Sequence, residues 1–268
     1  MDKTSLGDRM KAYENVERKY LPRRVPMILR LDGVHFHSFT KGFERPFDVS
    51  FLTCMRNTML QLCQNISGAK LGYTQSDEIT ILITDDDTIQ TQPWFNKNVQ
   101  KIVSVSAAMA TNFFNREMRE RILESTPSEG LRRAYNDERL AFFDARVFVV
   151  PREEVMNVFE WRQQDCRRNS ILSVGQTYFS PKQLDGLSCA KIVEKLASIG
   201  INWNEYFPEF QNGVCAIKEP QIITHYNKKY NITTASLRDK WTLDKYIPIF
   251  HEHPEYINNL VYHKEENK

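Results

Sequence analysis

Two acidic segments hold the residues whose types and spacing suit chemistry: Arg30-Leu31-Asp32-Gly33-Val34-His35-Phe36 and Gln75-Ser76-Asp77-Glu78. Each lies at the end of a stretch with strand character. Carboxylates brought together in this way commonly hold divalent metals for phosphoryl chemistry, where the ions neutralise triphosphate charge and activate an attacking hydroxyl. Two carboxylates side by side repel each other unless a cation lies between them. Gly33 permits close backbone approach, and successive N–H groups over residues 33–37 suit a triphosphate. Further polar candidates are His35 and His37 around Phe36, Arg45 in an aromatic-rich loop, and Lys101 on a long helix. Trp161-Arg162-Gln163-Gln164-Asp165-Cys166 forms a polar helical run, and Arg162, Arg167 and Arg168 there are candidate contacts to an RNA backbone.

The elements that must position these residues follow from periodicity. Residues 5–19 read as a helix capped by Ser5, with Leu6, Met10, Tyr13 and Val16 on one stripe. Val25 to Leu31 is a buried strand, followed by a loop over 33–47 rich in Phe. Asp48 caps a helix running to about Gln64. Ala69 to Thr74 and Ile79 to Thr84 form a hairpin around Ser76-Asp77-Glu78. A helix over roughly 96–121, a polar stretch over 124–141 and a strand from Phe143 to Val150 complete the series.

That order is β-α-β-β-α-β, an α+β, ferredoxin-like arrangement. Its topology makes the first and third strands antiparallel neighbours. The end of the first then meets the start of the third, which places Asp32 and Asp77 side by side at one sheet edge. In nucleotide-transfer enzymes, this sheet with two acids is the polymerase and cyclase palm. Beyond Pro151 the chain reads as mostly helical, over 152–165, 169–177, 181–184 and 188–198. A short strand at Val214 to Ile217, an extended polar stretch, and helices near 234–245 and 253–262 follow. Residues 1–150 therefore form the palm-like catalytic region, and 151–268 a helical extension on the same body.

Composition narrows the class. A chain of 268 residues with 41% hydrophobic and 26% charged residues is ordinary for a globular protein, and a net charge of +2 does not by itself argue for nucleic acid. Five cysteines, an odd number without a CxxC pair, argue for reduced thiols in a cytoplasmic setting and against structural zinc. No signal peptide or long apolar run is apparent, so the expectation is a soluble, unexported protein.

The segments RLDGVHFHSF, KGFERPFD, GYTQSDE, WFNKNVQKIVS, FDARVFVVP and WRQQDC together resemble the tRNA(His) guanylyltransferase-like proteins, and they run in family order across roughly residues 25–220. The resemblance implies addition of nucleotides to the 5′ end of tRNA in the 3′-to-5′ direction. It implies two Mg2+ ions with GTP or ATP as substrates, metal ligands at Asp32, the Gly33 carbonyl and Asp77, and a catalytic role for Glu78. Nucleotide contacts would fall on Asp32, Gly33, Val34, His35, Phe36, His37, Ser76, Asp77 and Lys101, with Arg45 where the family often has lysine. It also implies a homodimer or homotetramer holding tRNA.

Members that add G−1 to tRNA(His) carry a His-Ile-Asn-Asn run after the Asp-Cys of the WRQ segment. Here the run is Arg167-Arg168-Asn169-Ser170, which resembles the bacterial and archaeal like-proteins that repair truncated tRNA 5′ ends on a template. Asn169 joins the three arginines as an expected tRNA contact. Two other classes remain open on the residues: a nucleotidyl cyclase, which would have no use for the WRQQDC segment, and a non-enzymatic RNA-binding module, which would expose aromatics on its strands.

Overall fold

The computed structural model describes residues 5–124 and 127–262. The elements in chain order are α1 (Ser5–Val16), β1 (Met27–Gly33), α2 (Phe36–Phe39), α3 (Val49–Asn65), β2 (Ala69–Gln75), β3 (Glu78–Ile83), α4 (Val99–Glu124), α5 (Glu129–Asn136), β4 (Phe143–Val149), α6 (Val155–Tyr178), α7 (Pro181–Leu184), α8 (Cys189–Ala197), α9 (Pro208–Gln211), β5 (Val214–Asn227), β6 (Ile232–Asp244) and α10 (Glu255–Tyr262). Six strands form one sheet in the order β4-β1-β3-β2-β5-β6, with every neighbouring pair antiparallel.

Strand alternation sorts the side chains into two cores. Met27, Leu29 and Leu31 of β1, with Ile79, Ile81 and Ile83 of β3, face α3 and α4 and pack with Met55, Met59, Leu62 and Phe114. Ile28, Leu82, Tyr73 and Cys215 face the opposite way and pack with Phe159 of α6 and Ile257 of α10. A third cluster joins the C-terminal half of α6 to α7 and α8 around Trp203. On the α6 side the apolar run gives way at one end of the sheet to Arg30 and Asp32 on β1 and to Glu78 and Thr80 on β3. That polar end is where the site lies.

Asp48 caps α3 as expected, its side chain accepting the Phe51 N–H at 2.9 Å. The structure corrects four other expectations. The polar stretch before β4 contains α5, started by Ser128, whose hydroxyl accepts the Leu131 N–H. The two helices expected over 152–177 are one helix of 24 residues, because Asp165 clips Arg162 and Arg168 at i±3 across the supposed break. The helix expected over 234–245 is strand β6, paired with β5 from Cys215–Asp244 to Asn227–Ile232, so long-range pairing overrides the local pattern. The short strand expected from Val214 to Ile217 runs on through the polar stretch as β5, 14 residues long, because β6 supplies its backbone partners, and the α1 stripe of Leu6, Met10, Tyr13 and Val16 is exposed.

Candidate functional site

Register brings the two acidic segments together. Asp32 lies opposite Glu78 across β1 and β3, and the Gly33 N–H donates to the Asp77 carbonyl at 3.1 Å. Ser76 and Asp77 are the two residues of the β2–β3 turn between the paired Gln75 and Glu78. Ser76 takes the turn at φ 48°, and its hydroxyl donates to Asp77 Oδ1 at 3.0 Å. Burial pushes the Asp77 carboxyl above the usual carboxylate range. The Ser76 hydroxyl and the backbone pull it back, and the nearby Asp32 charge pushes it up again.

Among the described residues, no group of three or more His, Cys, Asp or Glu side chains could hold a metal alone. Two converging carboxylates fit Mg2+, which is usually bound by one or two carboxylates with substrate phosphates and water completing its shell. They do not fit a zinc cage.

A cavity of about 380 Å³ adjoins this turn, lined by Phe43, Arg45, Phe47, Ser76, Asp77 and Asn169 among others. It has the size and the mixed apolar and polar wall of a small-ligand site. Phe47 stacks on Phe210 at 4.8 Å, and the buried Arg56 lies 3.0 Å from Glu209 at the cavity wall. Burial pushes the Cys166 thiol at the same wall up to about 12, which leaves it inert as a nucleophile.

Between β1 and α2, His35 turns the chain at φ 55°. The N–H groups of Gly33 and Val34 are already committed, to Asp77 and to the Phe142 carbonyl, so the expected phosphate cradle contracts to residues 35–37. Phe36 is buried with Phe39, Phe51, Phe114 and Phe143, while His37 lines the cavity. A Cβ on Gly33 would lie 2.7 Å from Phe36 Cε2 and closer still to Cδ2 and Cγ. Because that ring is held in the aromatic cluster, Gly33→Ala is expected to lower stability by about 1–3 kcal/mol and to weaken nucleotide binding. Thermal denaturation with and without nucleoside triphosphate measures both effects. An unchanged melting temperature would refute the steric account.

Glu78 is buried and points under α6. Its Oε2 accepts from Arg162 Nη1 at 2.9 Å, and its Oε1 accepts from the Thr80 hydroxyl. The Arg162 guanidinium sits 3.5 Å from the Trp161 ring centroid. This corrects the expectation that Arg162 meets an RNA backbone: it is an internal ion-pair partner of the acidic turn. Arg167 is likewise engaged internally, with the Asn212 side chain and near Trp203. Asn169 faces the cavity. Arg168 alone of the four lies on the open surface, paired with Asp165 at 2.8 Å.

Lys101 lies on the exposed side of α4. Leu21 N–H donates to the Lys97 carbonyl at the entry to β1, whereas Thr111 accepts the Phe143 N–H opposite Gly33 at the exit. Lys101 lies ten positions before Thr111 on α4, about 15 Å of helix rise from that end of β1.

Sequence reasoning passed over Trp161, the Arg56–Glu209 pair and the buried Lys97–Asp85 pair, whose atoms lie 2.9 Å apart. The partners in these two pairs are distant in sequence or read locally as surface charges.

The tRNAHis guanylyltransferase (Thg1) family model matches residues 7–151. A bacterial tRNA(His) guanylyltransferase (Thg1)-like protein solved in complex with ATP is 45% identical, with a TM-score of 0.82 over 96% of this chain and 99% of that one. A GTP complex of a bacterial protein of the same description is 43% identical, with a TM-score of 0.77 over 97% of this chain and 100% of the other. A protein of Acanthamoeba polyphaga mimivirus, R259, is 32% identical over 87% of this chain and 83% of its own length. The tRNA(His) guanylyltransferase of Debaryomyces hansenii is 27% identical over 72% of this chain and 73% of its own.

Proposed function

Since the chain belongs to the tRNA(His) guanylyltransferase family, a family of nucleotidyltransferases acting at the 5′ end of tRNA, we propose that it repairs truncated tRNA 5′ ends on the template of the opposing strand. The observation that carries the chemistry is the approach of Asp32 to Asp77, which itself lines a nucleotide-sized cavity. ATP and GTP bound to the similar bacterial proteins support nucleoside triphosphates as substrates. Strand order β4-β1-β3-β2 with helices crossing one face supports a ferredoxin-like palm over residues 1–150, and α6 to α10 then form its extension. We read the active form as a homodimer or homotetramer in the cytoplasm.

In this mechanism the cavity holds the base and sugar of the incoming nucleotide. Residues 35–37, Ser76 and Arg45 bind its triphosphate. The nucleotide's 3′-hydroxyl oxygen attacks the phosphorus of the activated 5′ end of the RNA. A new P–O bond forms, the hydroxyl proton passes to solvent, the bond to the activating group breaks, and pyrophosphate or a nucleoside monophosphate leaves. Two Mg2+ ions held by Asp32, the Gly33 carbonyl and Asp77 would supply charge neutralisation and acidify the hydroxyl. Arg162 keeps Glu78 fixed beneath this turn, so the chain contributes position and charge rather than a covalent nucleophile.

The broad-substrate reading rests on Arg167-Arg168-Asn169-Ser170, which lacks the histidine of the G−1-adding members. The test is extension of truncated tRNAs with different anticodons, each with all four nucleoside triphosphates and Mg2+. The expected result is repair of several tRNAs, with the added nucleotide switching when the opposing base is switched. Strict preference for tRNA(His), or addition of G whatever the opposing base, would refute template-directed repair.

A further inference from the structure

Trp161 stands apart from the rest of α6. It is 51% exposed, yet its ring is backed by the Arg162 guanidinium at 3.5 Å and flanked by Arg30 at 5.6 Å. Arg162 is the partner of Glu78, and Arg30 precedes Asp32 by one strand repeat, so the ring is fixed beside the acidic pair. Both arginines carry a buried Nε without a hydrogen-bond partner, so their positions favour the aromatic face over full polar satisfaction. The exposed stripe around the ring is polar: Asn157 one turn before, Gln164 and Arg168 after, the last 62% exposed. A single aromatic among polar and basic neighbours does not make an apolar protein-binding patch. It has the composition of a base-stacking platform with a phosphate contact beside it.

We propose that Trp161 is the stacking platform for the 5′-terminal base of the RNA substrate, with Arg168 touching the adjoining backbone. The proposal rests on the reading of the site as one that extends RNA 5′ ends. It adds which residue seats that end. Arg162 couples the platform to Glu78, so a stacked terminal base fixes the RNA end relative to Asp32 and Asp77.

The test uses the full-length protein and a truncated tRNA whose 5′-terminal nucleotide is 2-aminopurine. Wild type is expected to quench its fluorescence on binding, with Trp161→Phe retaining most of the quenching and Trp161→Ala losing it. Trp161→Ala should weaken RNA binding roughly tenfold or more while leaving the KM for nucleoside triphosphate unchanged. Absence of quenching by wild type overturns the proposal. So does wild-type RNA affinity in Trp161→Ala, or dissociation of an oligomer in that variant, which would make the ring a subunit contact. Because binding is read without turnover, quenching by a wild-type protein that extends no RNA would refute the proposed function and leave the platform standing.

Discussion

Replacing either carboxylate, as Asp32→Asn or Asp77→Asn, is expected to lower nucleotide transfer by about 10²-fold or more while the protein remains folded. The two side chains project from the end of β1 and from the β2–β3 turn, and neither fills a core position. What they contribute is negative charge beside the cavity that Asp77 lines. Asn keeps the shape and removes the charge, so loss of activity with an unchanged circular dichroism spectrum isolates that contribution. A second readout is stability. The Asp77 carboxyl lies above its ordinary range because of burial and then Asp32. A carboxyl raised in the folded state favours folding below its unfolded value and loses that contribution as pH rises through the folded one. Metal-free wild type should therefore lose stability as pH rises from about 4 through the elevated value. Asp77→Asn should flatten that part of the profile and reduce the thermal shift given by Mg2+ with nucleoside triphosphate. Near-normal turnover by a folded Asp32→Asn, Asp77→Asn double variant would overturn the assignment of both residues.

Arg162→Ala carries the largest expected cost in stability. Removing one partner of a buried ion pair leaves the other charge uncompensated, which costs about 3–5 kcal/mol. Glu78 has the hydroxyl of Thr80 as its other hydrogen-bond partner, too little to replace a guanidinium. Burial already holds the Glu78 carboxyl above its usual range, with Arg162 the strongest influence pulling it down. Without Arg162 the folded-state value rises further. By the same sign rule, the variant should be less destabilised near pH 5, where protonation relieves the buried charge, than near pH 8. Chemical denaturation at the two pH values measures the difference. Glu78→Gln combined with Arg162→Ala should cost less than the sum of the single changes, because the pair is coupled. A loss independent of pH, with strictly additive single changes, would mean that Arg162 acts through packing on Trp161 instead.

The run Met27 to Leu31, apolar but for Arg30, and the largely β-branched run Ile79 to Ile83 mark two central strands, and the polar link Ser76-Asp77-Glu78 makes a hairpin. Those local signals, with the rule that the first and third strands of this order are antiparallel neighbours, place Asp32 beside the acidic turn. Asp48 as a cap and Gly33 as a point of close approach follow from side-chain chemistry within a few residues.

Other features depend on segments far apart in the chain. Whether Arg162 meets solvent or Glu78, 84 positions away, depends on how α6 lies across the sheet. Helical periodicity can assign a residue to a face without naming what that face meets. The same limit hid the Arg56–Glu209 pair and the cavity role of Asn169. It also explains β6, whose local pattern fits a helix until β5 supplies a partner for its backbone groups. Sequence alone determined strands β1 to β4, their order and the two acids at one sheet edge, because these rest on short-range propensity and topology. Only the tertiary structure decided which arginines are internal, because burial and pairing depend on contacts between distant segments.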